Sequence, residues 1–255
     1  MSQISKTLYR LLLRHGRDMT RRSLEFQFTK PMDKDAWLTK GGAPSWVSPE
    51  PLYSTEAIQD GLPWVDPERL QYGKVTGETV ISCVRKYFRR PLGDDETVDG
   101  RIDRAFQAIR ALEEQLYYAR SGSSSCTDGV RVDVTTCFVG SQKELDVMYD
   151  EEEDGPPKYY YSYRIRVTNL GKEPVQLLSR HWKLYDKDGK LQMEVAKGAK
   201  GVLGQTPIIK ANTCFSYYSG TDTETKGATM EGSFGLVRGD QAFEAPVALF
   251  KFLDR

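Results

Sequence analysis

Along Tyr161-Ser162-Tyr163-Arg164-Ile165-Arg166-Val167-Thr168, apolar and polar residues alternate without a break. Successive side chains of an extended chain point to opposite faces, so this stretch reads as a strand that buries Tyr161, Tyr163, Ile165 and Val167 and turns its other face to solvent. The same period of two sets Val130, Val132 and Val134 against Arg131, Asp133 and Thr135. Turn-forming sequences recur at Asn169-Leu170-Gly171, Asp186-Lys187-Asp188-Gly189, Ser219-Gly220 and Arg238-Gly239-Asp240. Many short strands at this spacing predict an all-β sandwich or barrel over 130–255.

N-terminal to that region the period is helical. Ile4, Leu8, Leu11 and Leu12 share one face of a helix expected over 2–17. Val80, Val84, Tyr87 and Phe88 form a second stripe, stopped by Pro91 and Gly93. Ile102, Ala105, Phe106, Ile109, Leu112 and Leu116 form a third, with Asp99 in its first turn, where the helix dipole favours an anion. Such helices are not stable singly in water, so their stripes are expected to meet in a bundle or against a partner. Between the first two lies an insertion at 23–74, with six prolines and with Trp37, Trp46 and Trp64 but no sustained period. It reads as irregular chain laid over a surface and protease-sensitive in the isolated protein. Ser121-Gly122-Ser123-Ser124-Ser125 reads as a flexible linker. The fold class expected is therefore α+β in two modules: a helical domain at 1–122, a linker at 123–129 and the sandwich at 130–255.

With 36 basic and 36 acidic residues the formal net charge is zero, so an electrostatic partner must be read from local patches. Cys83, Cys126, Cys137 and Cys214 lack metal-ligand spacing and suggest neither a zinc site nor a disulfide framework; no metal site is expected. No apolar run of the length needed to span a bilayer is present. The first 22 residues carry Lys6, Arg10, Arg14, Arg17, Arg21 and Arg22 against Asp18. That pattern suits either a cleavable organelle transit peptide or a basic helix kept in the mature protein.

Three features of the second half invite chemistry. Gly198, Lys200, Gly201 and Gly204 make a glycine-rich loop that could offer N–H groups to an anion, but without the strand-loop-helix context of a phosphate site a turn between sheets is favoured. His181 has no second histidine or acid at triad spacing and reads as a hydrogen-bonded core residue, not a base. The acidic run Asp150-Glu151-Glu152-Glu153-Asp154 lacks the alternation and glycine of a calcium loop and reads as a solvated hairpin tip. No catalytic residues emerge, and an enzyme is not expected.

Asn169-Leu170-Gly171-Lys172-Glu173-Pro174-Val175-Gln176-Leu177-Leu178-Ser179-Arg180-His181-Trp182 closely resembles the central motif of the ApaG domain family. The likeness continues through Gly201-Val202-Leu203-Gly204-Gln205-Thr206-Pro207, Phe215-Ser216-Tyr217-Tyr218-Ser219-Gly220 and Gly227-Ala228-Thr229-Met230-Glu231-Gly232-Ser233-Phe234. It implies a fibronectin-like two-sheet sandwich that binds without catalysing, with Ala199 standing where the family's glycine loop has its first glycine.

Leu8-Tyr9-Arg10, continued to Arg14, resembles the signature of the mitochondrial LYR-motif family, and Val84-Arg85-Lys86-Tyr87-Phe88-Arg89 resembles that family's second-helix pattern; the long insertion departs from it. The resemblance implies a matrix-located, non-catalytic adaptor or assembly factor that binds the mitochondrial acyl carrier protein. Leu8, Tyr9, Arg10, Arg14, Arg85, Lys86, Phe88 and Arg89 would meet the carrier. Leu12, Val84, Ala105, Phe106 and Ile109 would line a groove for its acyl chain, each buried methylene contributing ~0.8 kcal/mol. The chain would need no cofactor of its own, only the acyl-phosphopantetheine carried by the partner. Its other partners would be subunits of a large mitochondrial complex, respiratory or ribosomal, with RNA contact implied if ribosomal. The alternative is a ligand-binding protein that holds a phosphorylated metabolite at the glycine-rich loop.

Overall fold

The computed structural model describes residues 2–26, 34–39, 45–51, 75–94, 96–145 and 156–254, with backbone alone at 45–51. Two compact units divide the chain: Met1–Phe28 with Tyr53–Ala119, and Thr29–Leu52 with Arg120–Arg255. The acidic run at 150–154 lies outside the described residues, as does most of the predicted insertion.

The first unit is helical. Helix α1 (Gln3–Arg21) begins where the Ser2 hydroxyl accepts from the Ser5 N–H, satisfying one of the free donors at a helix start. A later helix, α3 (Gly77–Arg89), is opened by a reciprocal cap between Thr76 and Thr79. Helix α4 (Val98–Ser121) follows. Leu8, Leu12, Met19, Val80, Val84, Ala105, Ile109 and Leu112 form one buried cluster, so the three stripes meet as the sequence implied. Helices α1 and α3 approach until their backbones nearly touch, because a Cβ on Gly77 would collide with the Gly16 carbonyl and the Thr20 N–H. Toward the other end Tyr9 packs on Phe88 with ring centroids 5.4 Å apart. The α3–α4 turn is tied by Glu96, which takes Arg101 at 2.6 Å, Arg90 at 3.1 Å and the Tyr87 hydroxyl at 2.8 Å.

The second unit is the sandwich. Its strands are β1 (Ser45–Pro51), β2 (Ser123–Thr127), β3 (Val130–Ser141), β4 (Tyr159–Asn169), β5 (Val175–Tyr185), β6 (Leu191–Lys200), β7 (Ile208–Ile209), β8 (Thr213–Thr223), β9 (Thr229–Arg238) and β10 (Gln241–Lys251). One sheet runs β1-β8-β4-β3-β2 and the other β10-β9-β5-β6, with β7 on β5. Val132, Ile165, Phe215, Trp182, Phe234 and Phe250 fill the space between them. Asn169 ties the turn in the resemblance motif, donating to the Glu173 and Ile209 carbonyls and accepting from the Gly171 N–H.

Four expectations are corrected. The 123–129 segment is no linker: Ser123–Thr127 is a strand that returns into β3 through Asp128-Gly129, both at positive φ, a two-residue hairpin turn whose twist suits the flanking strands. The insertion is not irregular throughout. A short helix α2 (Lys34–Thr39) packs Trp37 and Leu38 on Val139, Leu145 and Tyr160, and β1 adds to the edge of β8. The arm holding α2 and β1 groups with the sandwich and not with the helices that flank it in sequence. Finally, β4 is buried on both faces. Arg164, expected in solvent, is 8% exposed and donates to the Tyr218 hydroxyl at 2.8 Å and the Ser216 hydroxyl at 2.9 Å.

Candidate cationic cleft

On α1, Arg10, Arg14, Arg17 and Arg21 recur every three or four residues and so share one face. On α3, Glu78, Ser82, Arg85 and Arg89 do the same. The close crossing at Gly16 and Gly77 holds the two surfaces side by side. They enclose a cleft of ≈ 730 Å³ lined by Arg17, Thr20, Arg21, Glu78, Ile81, Ser82, Arg85, Lys86 and Arg89. Cations outnumber its one carboxylate. Arg21 pairs with Asp18 at 3.3 Å, whereas among the described residues Arg17, Arg85, Lys86 and Arg89 have no carboxylate partner. Unneutralised guanidinium groups beside the hydroxyls of Thr20 and Ser82, with Ile81 between, suit a carboxylate- or phosphate-bearing ligand that also offers apolar surface.

Of the residues expected to meet an acidic carrier, Arg85, Lys86 and Arg89 line the cleft, while Arg10 and Arg14 extend its α1 stripe. Leu8 and Phe88 are buried in the helical core and Tyr9 is half-buried on Phe88, so these three position the helices. Leu12, Val84, Ala105 and Ile109 are buried in the same core, whereas Phe106 is 44% exposed. Phe106 therefore lies off the apolar face: the 102, 105, 109, 112 spacing turns 106 outward, and its hydrophobicity masked that. Sequence reasoning overlooked Arg21, Thr20, Ile81 and Ser82, although Arg21 continues the stripe of Arg10, Arg14 and Arg17.

In the sandwich, the glycine loop is bound into the sheet. Arg180 donates to the Lys200 carbonyl at 3.0 Å and to that of Gly201 at 2.6 Å, the Gly201 N–H donates to Leu178, and Val202 and Gln205 exchange backbone hydrogen bonds. Part of the N–H set an anion would need is thus already used, as in the turn the sequence favoured; Gly198, Lys200 and Gly204 flank it. His181 is hydrogen-bonded as expected, but to Glu194 at 3.0 Å on the outside of the sheet, not in the core. Among the described residues no group of histidines, cysteines and carboxylates could hold a metal ion. Nor is any described helix long and apolar enough to cross a membrane.

A two-layer sandwich with the Asn169 turn and the Trp182 core defines a β-sandwich module of the ApaG type. The family model described as the ApaG domain matches residues 149–238. The protein ApaG of Shewanella pealeana is 42% identical over 123 residues, covering 48% of this chain and 88% of that protein. The protein ApaG of a Methylobacterium species is 39% identical over 127 residues, 49% of this chain and 87% of that protein. A crystal structure of an ApaA protein from Bordetella pertussis matches at 31% identity and TM-score 0.40, covering 49% of this chain and 93% of that one. Through its C-terminal half the chain belongs to the ApaG family.

Proposed function

We propose that this protein is a non-catalytic adaptor whose helical unit captures an acidic carrier protein at the α1/α3 cleft while its ApaG sandwich engages a larger assembly. The observation that carries the reading is the convergence of Arg17, Arg85, Lys86 and Arg89 on one cleft without carboxylate partners among the described residues. Strongly acidic carriers with a phosphate-linked arm, acyl carrier protein foremost, supply the complementary charge, and the resemblance of Leu8-Tyr9-Arg10 and Val84–Arg89 to the LYR-motif family points the same way. On this reading the chain works in the mitochondrial matrix. Leu12, Val84, Ala105 and Ile109 are packed together, so an acyl chain would enter only by parting the helices.

The test is calorimetric titration of the full chain with acyl carrier protein, acylated and unacylated. Arg85→Glu with Arg89→Glu, both on exposed positions, should weaken binding at least tenfold while leaving the melting temperature unchanged. Affinity should also fall between low and physiological ionic strength. Binding insensitive both to charge reversal and to salt would refute the cleft as the docking site.

A further inference from the structure

The two edges of the sheet β10-β9-β5-β6 are finished differently. On β10, Ala245, Val247 and Phe250 are buried in the core between the sheets. On β6, Met193 and Val195 stand opposite Leu184 and Trp182, both core residues, and so share their inward face. Yet Met193 is 40% exposed, and Leu191, two residues earlier, is 45% exposed. Among the described residues no strand pairs with the outer side of β6. This edge therefore overhangs the core, with apolar side chains and a line of backbone groups both open.

Beneath it, a cavity of ≈ 240 Å³ opens between β6, the end of β8 and the β8–β9 connection. Leu184, Met193 and Ala228 supply its apolar wall, Asp186, Asp222 and Glu224 its charge, and no lysine or arginine lines it. Asp186 is fixed in place: its carboxylate accepts from the N–H groups of Lys190 and Asp188, each at 2.9 Å, and from the Gln192 amide at 3.0 Å. Among the described residues the carboxylates of Asp222 and Glu224 have neither a cation nor a hydrogen-bond donor. The volume falls short of the ~300–1,000 Å³ that buries a whole small molecule and suits one long side chain, its aliphatic stem along Met193 and Leu184 and its charged head at the acids. Carboxylates match the planar donor fork of arginine best.

We infer that the β6 edge and this cavity form one docking site for an extended partner segment bearing an arginine, which adds its backbone to β6 and sets the guanidinium between Asp222 and Glu224. Backbone pairing supplies affinity and the cavity selects the side chain. An ordinary edge strand packs its inward residues, as β10 does, and has no unneutralised acidic cavity under it. The site belongs to the sandwich and does not depend on carrier binding at the cationic cleft.

The experiment is fluorescence anisotropy of the full chain with a labelled nine-residue peptide of alternating threonine and valine around a central arginine. The peptide should bind saturably. Its citrulline analogue, which keeps the shape and loses the charge, should bind at least tenfold more weakly, as should an analogue with alternate backbone amides N-methylated. Asp222→Asn with Glu224→Gln, both at exposed positions, should weaken the arginine peptide at least tenfold without changing the melting temperature. Absence of saturable binding, or equal binding of the arginine and citrulline peptides, would overturn the inference. N-acetylarginine amide binding as tightly as the peptide would overturn it too, since the cavity would then take a free small cation and the edge would contribute nothing.

Discussion

His15 and Glu96 make the helical unit acid-sensitive in two separate windows. His15 is buried, neither ring nitrogen has a hydrogen-bond partner among the described residues, and the nearest acid, Glu113, is 3.8 Å away. Burial lowers its pKa below 6.5; Glu113 and Asp18 oppose that shift, and Arg14 adds to it. The unfolded chain therefore binds the proton more readily, so stability falls as the pH drops below about 6.5. His15→Leu should flatten the change in urea midpoint between pH 7.5 and 5, and a wild-type midpoint constant over that range would contradict this account. Glu96 shifts downward for a different cause. The hydrogen bond from Arg101, with Tyr87 and Arg90 beside it, holds the carboxyl at about 2. Its contribution is present above the ordinary carboxylate range near 4.5 and is lost as the pH falls toward 2. Glu96→Gln should lower the neutral-pH melting temperature and remove that acid limb, which melts at pH 7, 4 and 2.5 would show.

The crossing of α1 and α3 depends on two glycines, and their removal should run against propensity. Alanine is the better helix former by about 1 kcal/mol. At Gly77, however, its methyl would meet the Gly16 carbonyl, and overpacking of this kind costs about 1–3 kcal/mol. Gly77→Ala should therefore lower the melting temperature and, by parting the helices, weaken carrier binding at the cleft. An unchanged melt would show that the helices can separate freely. The helices themselves were legible because each stripe repeats over several turns: the expected 2–17 became Gln3–Arg21, extended through Met19, which the core buries. Phe106 was misplaced because hydrophobicity alone does not reveal which of two adjacent apolar residues faces inward. The alternation in β4 gave the strand and its register of buried residues. It did not give the burial of Arg164, which depends on hydroxyls that β8 brings alongside.

The seating of the arm governs how the full chain meets a protease. Trp37 is half-buried, and burying a large apolar side chain contributes ~1.5–3 kcal/mol. Trp37→Ala should then raise the rate of tryptic cleavage after Lys34 roughly tenfold, since cleavage follows the open population when opening is fast. Equal cleavage rates in wild type and variant would mean that the ring does not hold the arm. The sequence by itself determined the two-part composition, the three amphipathic helices, the sandwich and the ApaG likeness, because each rests on a local period or a contiguous motif. Only the tertiary structure decided that Ser123–Thr127 is a strand, that α2 and β1 join the sandwich, and that the arginines of α1 and α3 line one cleft. Serine-rich, proline-rich and charged stretches carry little local preference, so their conformation is set by the partner they find across the fold: β3, β8 and the facing helix.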